Sequence, residues 1–421
     1  MSLQGTFNTA VQAMNSQTQS LNNISMNIAN VNTTAYKAQE SHFQTLLNHV
    51  QPTDKRFFTV RTIDHRQVDK QGLLATTGRT FDLAINGRGL LVTNSKADGT
   101  GTFQYTRDGS LFGEAVDLGT DTDNDGQNDQ GTLLKTAAGA YVFGWAADSE
   151  GKFTETNSLG SLTPVKFGDN SVFPAKSTTV MSLQANLSSA SSGRQNVSIP
   201  FVDQEGNSRS LSIGFNASMN DGWTLDMSAN DTNNQPVDVV FDPPKLGFDG
   251  NGRMTLPTDG LINITVSDSV GPQSFTLDLS KVTQFSDNGQ LTVVNVDQDG
   301  FIAGRLQNTY FNSSGVLIGS YSNGELRNLY KLPVAMFRAD GNLEAKSGNY
   351  FEQTKEAGDM LLTGIGLATG SHFVTGALES SNVDLTDQFS KMIVTQRAYS
   401  SAAKVLTTAD EMAQAARDLK R

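Results

Sequence analysis

Leu3, Phe7, Ala10, Met14, Gln17, Leu21, Ile24, Ile28 and Val31 recur in alternating steps of four and three, a heptad stripe broken in polarity only at Gln17. The far end repeats the device with Leu385, Phe389, Met392, Gln396, Tyr399, Ala403 and Leu406, then more weakly through Met412, Ala416 and Leu419. This spacing predicts an amphipathic helix at each end of the chain, each with an apolar seam that wants a helical partner. No Pro or Gly interrupts residues 6–51, so the first helix can run to about Asn30. Asn382 or Asp384 stands where a short polar side chain would cap the second by accepting its first orphan amides. Ordering a lone helix costs more backbone entropy than one wetted apolar face returns. The two ends therefore either pair within one molecule or order fully only against neighbouring copies.

Between the ends the period changes from heptads to alternation. Val197-Ile199-Phe201, Leu211-Ile213-Phe215, Trp223-Leu225-Met227, Val237-Val239-Phe241, Ile262-Ile264-Val266 and Phe275-Leu277-Leu279 each place apolar residues on one face of a half-buried strand. Turn dipeptides punctuate the region at Asn86-Gly87, Asp98-Gly99, Asp108-Gly109, Asp221-Gly222, Asp249-Gly250, Asn251-Gly252, Asp299-Gly300, Asn323-Gly324 and Asp340-Gly341, as tight hairpins with positive φ require. The fold class expected is mixed and mainly β: terminal helices pairing as a coiled-coil core, with two nested antiparallel β-domains between them.

Chemistry is sparse. With a formal charge of −12 the chain repels phosphate backbones and anionic lipid, so nucleic acid is not an expected partner. The absence of cysteine excludes disulfides and thiolate chemistry. No apolar run is long enough to insert in a membrane, and MSLQGTFNTA lacks a cationic region before an apolar stretch, so the expectation is a cytoplasmic chain or one exported without a cleaved signal peptide. His42, His49, His65 and His372 are scattered, and no nucleophile elbow, P-loop or zinc-protease motif is present. No enzymatic activity and no cofactor are expected. One metal signal stands out: Asp121, Asp123, Asp125 and Asp129, with Gly126, have the ligand spacing of a calcium loop, although Thr132 occupies the place of the bidentate glutamate. A structural calcium site and a polar hairpin tip are both compatible with it.

Asn27-Ile28-Ala29-Asn30, followed by Thr33-Thr34-Ala35-Tyr36-Lys37, resembles the signature of the axial proteins of the bacterial flagellum, the rod, hook and hook-associated proteins, with Ala35 where that family usually has glycine. Thr76–Gly89, Asp297-Gln298-Asp299-Gly300, Gly319–Gly324, Gly376–Leu385 with its Ser381-Asn382-Val383-Asp384, and Gln396-Arg397-Ala398-Tyr399 are similar to further segments of the hook branch. Rod proteins of this type lack a large inserted outer domain, whereas about 120 residues of β pattern interrupt the first β-domain here. Phe43 with Leu47 resembles the export signal proposed for such subunits.

The resemblance implies four parts. Residues 1–33 and 383–421 form a helical core, 34–75 and 373–382 a connector, 76–161 and 286–372 the first β-domain, and 162–285 the outer domain. It also implies a helical homopolymer, the flexible curved tube that carries torque from rod to filament outside the cell. Partners implied are a rod protein, a hook cap, a hook-filament junction protein and the type III export apparatus. A distal rod or junction protein, or a secreted calcium-binding surface protein or adhesin, is the alternative.

Overall fold

The computed structural model describes the chain except residues 1–2, 51–54, 118–129, 169–171, 191–192, 219–221, 231–234, 268–270, 288, 367–369 and 419–421. Within helices and strands, the side chains at 3–4, 46–50, 55–59, 130, 218 and 416 are also outside the description. The chain is mainly β, with one helix at each end, α1 (Leu3–Ala29) and α2 (Leu385–Asp418), packed against each other. No described helix is long and apolar enough to cross a membrane.

Two compact units divide the sequence. One comprises Met1–Asp169, Thr309–Gly319 and Arg327–Arg421, the other Asn170–Asn308 with Ser320–Leu326. The second unit is built on the alternating strands. Arg194–Val202, Ser208–Ser218, Gly222–Asn230, Pro236–Asp242, Leu261–Ser267 and Pro272–Asp278 are antiparallel neighbours in that order, and Val180–Ser188 then runs parallel to the last. Because strand side chains alternate faces, every second residue enters one core, where Ile199, Phe201, Ile213, Phe215, Ile264 and Leu277 are fully buried. The unit extends past residue 285, the boundary expected from sequence, because Thr292–Gln298 pairs antiparallel with Val180–Ser188 and so closes the other side of that strand.

The Asp297–Gly300 motif is the fastener of this unit. Asp299 accepts hydrogen bonds from the amides of Thr179 (2.8 Å) and Val180 (2.9 Å), from the Thr179 hydroxyl (2.7 Å) and from Lys176 Nζ (3.0 Å). Burial alone would raise its pKa, but these donors outweigh it and hold the carboxyl well below the usual range. Glycines of the turn dipeptides prove to do two different jobs. Gly87, Gly99, Gly222, Gly252 and Gly324 take positive φ as expected, whereas Gly109 does not; a Cβ there would lie 1.7 Å from the Leu83 carbonyl oxygen.

In the first unit two apolar clusters form the β core, one around Tyr105, Trp145 and Phe351 and one around Leu83, Leu134 and Phe373. Its short strands β3 (Leu74–Thr76) and β4 (Leu83–Asn86) pair with Ala377–Glu379 and His372–Thr375, so residues before the β core are tied to residues just before α2. The region 34–75 is not a featureless connector. It carries a long antiparallel hairpin, β1 (Gln39–Val50) and β2 (Lys55–Arg66), in continuous register from Gln39↔Arg66 to Val50↔Lys55. Its mixed charged and polar sequence shows no clean alternation because the described part of the hairpin docks on α1 by hydrogen bonds.

Candidate functional site

The helices pack against each other, but only part of each apolar stripe is buried. The buried face of α1 is Ala10, Ser16, Ser20, Asn23, Ile24 and Asn27. Two of these polar residues reach the hairpin: Ser16 Oγ donates to the Val60 carbonyl (3.3 Å), and Asn23 Nδ2 donates to Ser41 Oγ and to Asp64 Oδ1 (2.7 Å each). On α2 the buried face is Gln388, Thr395 and Ala409, and Gln388 Oε1 accepts from Asn27 Nδ2 at 3.0 Å. Of the seam expected from sequence, Ile24 and Ala10 are buried and Met14, Gln17, Leu21, Ile28, Val31, Met392, Ala403 and Leu406 half-buried. Phe7, Leu385, Phe389, Tyr399 and Met412 are exposed. Leu3, Leu47, His49, Ala416 and Leu419 lie outside the described side chains, and Phe43 is exposed on β1.

Where α1 ends, the signature residues converge. Asn30 closes the last turn by donating to the Met26 carbonyl, and the chain then reverses through Ala35, whose φ is +57°. A Cβ in this left-handed region meets the carbonyl oxygen, which explains why the resembled pattern has glycine here. Asn27 Oδ1 accepts from Tyr36 Oη (3.2 Å) and the Gln39 amide (3.0 Å), while its Nδ2 also donates to the Gln39 carbonyl (2.9 Å). Arg66 lies over the Tyr36 ring at 5.8 Å, and burial pushes the Tyr36 hydroxyl pKa up despite that cation.

The centre of the junction is Glu379, which is completely buried. One carboxylate oxygen meets Lys37 Nζ at 2.6 Å and the Gly72 amide at 2.9 Å, and the other meets Arg107 at 3.2 Å. Its backbone carbonyl accepts the Ala35 amide at 2.8 Å. A Cβ on Gly72 would fall 2.0 Å from the Ser380 carbonyl oxygen, so only glycine permits this approach. Arg107 also donates to the carbonyls of Ile85 (3.2 Å) and Gly87 (2.7 Å). Burial pulls the Lys37 pKa down; the Glu379 charge opposes that shift and the Arg107 charge adds to it.

Asn382 does not cap α2. Its Oδ1 accepts the Ala38 amide (2.7 Å) and its Nδ2 donates to the carbonyls of Gln67 (3.0 Å) and Lys70 (2.9 Å), stapling three segments. Asp384 is the cap, accepting the amides of Thr386 (2.8 Å) and Asp387 (3.3 Å). Ser381 Oγ accepts the Val383 amide. Ala29, Gln396 and Arg397 are exposed and stand apart from this network. Sequence reasoning left Glu379 and Arg107 out of the site; the available signal was an acidic residue inside an otherwise apolar strand, Ala377–Glu379. Asp121, Asp123, Asp125 and Asp129 fall outside the described residues, and among the described ones no cluster of three or more acidic, histidine or cysteine side chains is placed to hold a metal ion.

The comparisons with known proteins match both regions. Residues 374–419 fit the family model of the flagellar basal body rod FlgEFG protein C-terminal region, and residues 169–301 that of the flagellar basal body protein FlaE D2 domain. Curated relatives extend over the whole chain. The flagellar hook protein FlgE of Rhizobium meliloti (strain 1021) is 28% identical over 439 residues, covering 100% of both chains. Those of Treponema pallidum (strain Nichols) and Escherichia coli (strain K12) are 28% and 26% identical, covering 94% and 96% of this chain and 96% and 98% of their own. A solved structure of Helicobacter pylori flagellar hook protein FlgE2 overlaps 73% of this chain and 100% of its own at 13% identity and TM-score 0.49.

The terminal helix and the inserted β unit thus each match a flagellar basal-body family model, and the relatives similar over the whole chain are flagellar hook proteins.

Proposed function

We propose that this chain is the structural subunit of the flagellar hook, polymerising into a flexible curved tube that transmits torque from rod to filament. The observation that carries the reading is the end-to-end alignment with hook proteins, which includes the inserted unit that the sequence pattern uses to separate hook from rod. The exposed apolar residues of α1 and α2 support it further. A monomer leaves Phe7, Leu385, Phe389 and Tyr399 in water, and a polymer would cover them. In this reading the helices form the tube's inner layer and hold it together, the hairpin 39–66 and residues 373–382 join them to the first β-domain, and the inserted unit makes weaker outer contacts that slide as the tube bends.

The partners proposed are other copies of the chain, the rod end, the hook cap, the hook-filament junction proteins and the type III export apparatus, with Phe43 and Leu47 as the export signal. Calcium at Asp121, Asp123, Asp125 and Asp129 would stiffen a loop outside the cell; isothermal titration of the monomer with calcium tests it. The hook assignment is tested by immunogold electron microscopy of isolated flagella, using antibody raised against residues 172–285. Label confined to the curved segment between rod and filament is expected. Label on the straight rod, or none on flagella, would overturn it.

A further inference from the structure

On a helix of 3.6 residues per turn, the exposed apolar residues of α2 fall on two separate flanks. Leu385, Phe389 and Ile393 step by four along one, with Phe389 50% and Ile393 53% exposed. Val394, Val405 and Met412 step by eleven and seven along the other, and Val394 is 67% exposed. Gln388, Thr395 and Ala409 lie between the flanks and are the buried face. Beside Val394 a cavity of about 480 Å³ opens between α1, β1 and α2, walled by Ile24, Phe43 and Val394. Lys391 sets its rim, held to Glu40 (2.7 Å) and Asp387 (2.8 Å). One flank of α2 therefore offers projecting side chains and the other a hollow, and within one molecule the helix itself keeps them apart.

We infer that this cavity receives the Leu385–Phe389–Ile393 flank of a second copy of the chain, with Phe389 as the inserted side chain. The inference rests on the hook reading, since an open tube needs a heterologous contact in which a projection on each copy fills a hollow on the next without closing on itself. The occupant is a second copy because the same helix carries both halves of the match, the apolar flank and, through Val394, part of the apolar wall that Ile24 and Phe43 complete among polar neighbours. Lys391 is held by both Glu40 and Asp387 of its own chain, so its ammonium does not stand free in the opening.

The absence of cysteine makes the test clean. A chain carrying Phe389→Cys and Val394→Cys is assembled and mildly oxidised; the expected result is a covalent ladder of many subunits on a denaturing gel. Equimolar Phe389→Cys and Val394→Cys chains, co-assembled, should give covalent pairs of unlike chains only. As a second line, Phe389→Glu should stop assembly and Val394→Lys in the same chain should restore it. Normal tubes without cross-links, cross-linking that stops at closed dimers, or Phe389→Glu chains that assemble as well as the unaltered chain would each overturn the inference. Failure of the unaltered chain to form tubes would instead count against the hook reading itself.

Discussion

The inserted β unit and the terminal helix pair use apolar residues in opposite ways. In the β unit every second side chain of the central strands points into one core, and Ile199, Phe201, Ile213, Phe215, Ile264 and Leu277 are sealed from water by the chain itself. In the helix pair the buried faces mix Ser16, Ser20, Asn23, Asn27, Gln388 and Thr395 with Ala10, Ile24 and Ala409, while Phe7, Phe389, Ile393 and Val394 remain outside. The first region closes its core within the monomer, although Val240, Phe285 and Val294 stay exposed at its surface. The second keeps its hydrophobic driving force in reserve, because burial of that surface is available only on association. The polar contacts have a further effect: the hydrogen bonds of α1 to the hairpin and of Asn27 to Gln388 set the orientation of α1 while the apolar flanks stay exposed.

The contrast breaks most sharply at Tyr399, which is 40% exposed on α2. Tyr399→Asp should abolish tube formation in a sedimentation assay, yet leave the melting transition of the monomer unchanged; normal tubes would show that the exposed stripe is idle. Next comes the junction. Glu379→Gln removes the one carboxylate that the buried Lys37 and Arg107 both touch, so the first unit should lose about 3–5 kcal/mol in a urea titration, while hydrogen exchange in the strands of 194–278 stays as it was. Uniform loss of protection across both units would contradict their separate stabilities.

Within the β unit, Gln195 sits at a core-facing position of its strand, and both ends of its amide find no hydrogen-bond partner among the described residues. Gln195→Leu should therefore stabilise that unit by about 1–2 kcal/mol, read as a raised urea midpoint; a destabilised variant would mean the amide is satisfied after all. The smallest effect is expected at Ala35, where removing the Cβ relieves a left-handed residue but adds chain entropy to the unfolded state. Ala35→Gly should gain about 0.5–1 kcal/mol, and a loss would show that burial of the methyl group outweighs the backbone strain.

The strands of the β unit were legible because a period of two with one buried face is written directly into Val197–Phe201, Leu211–Phe215 and Ile262–Val266. The helices were legible as elements, and their buried faces only in part, through Ala10 and Ile24. Heptad reasoning assumes that apolar residues bury first, and here α1 spends its Asn and Ser face on the hairpin instead. That hairpin escaped notice for the same reason, since strands docked through polar side chains carry no hydrophobic alternation. Position before α2 makes both Asn382 and Asp384 candidates for its cap; Asp384 takes that role, and Asn382 reaches back to Ala38 and Gln67 instead. The pairing of Lys37 and Arg107 through Glu379 joins residues 342 and 272 positions apart, a relation that local pattern cannot contain.

That separation bears on timing. The clasp closes a long loop, because its central carboxylate follows Lys37 by 342 positions. Contacts so distant along the chain form late, because the entropy of closing the loop must be met before they return anything. A subunit delivered one end first would thus stay unlocked at this junction until both partners had passed. The segment carrying Glu379 then works like the slider of a zip, fastening in one movement what had been left open.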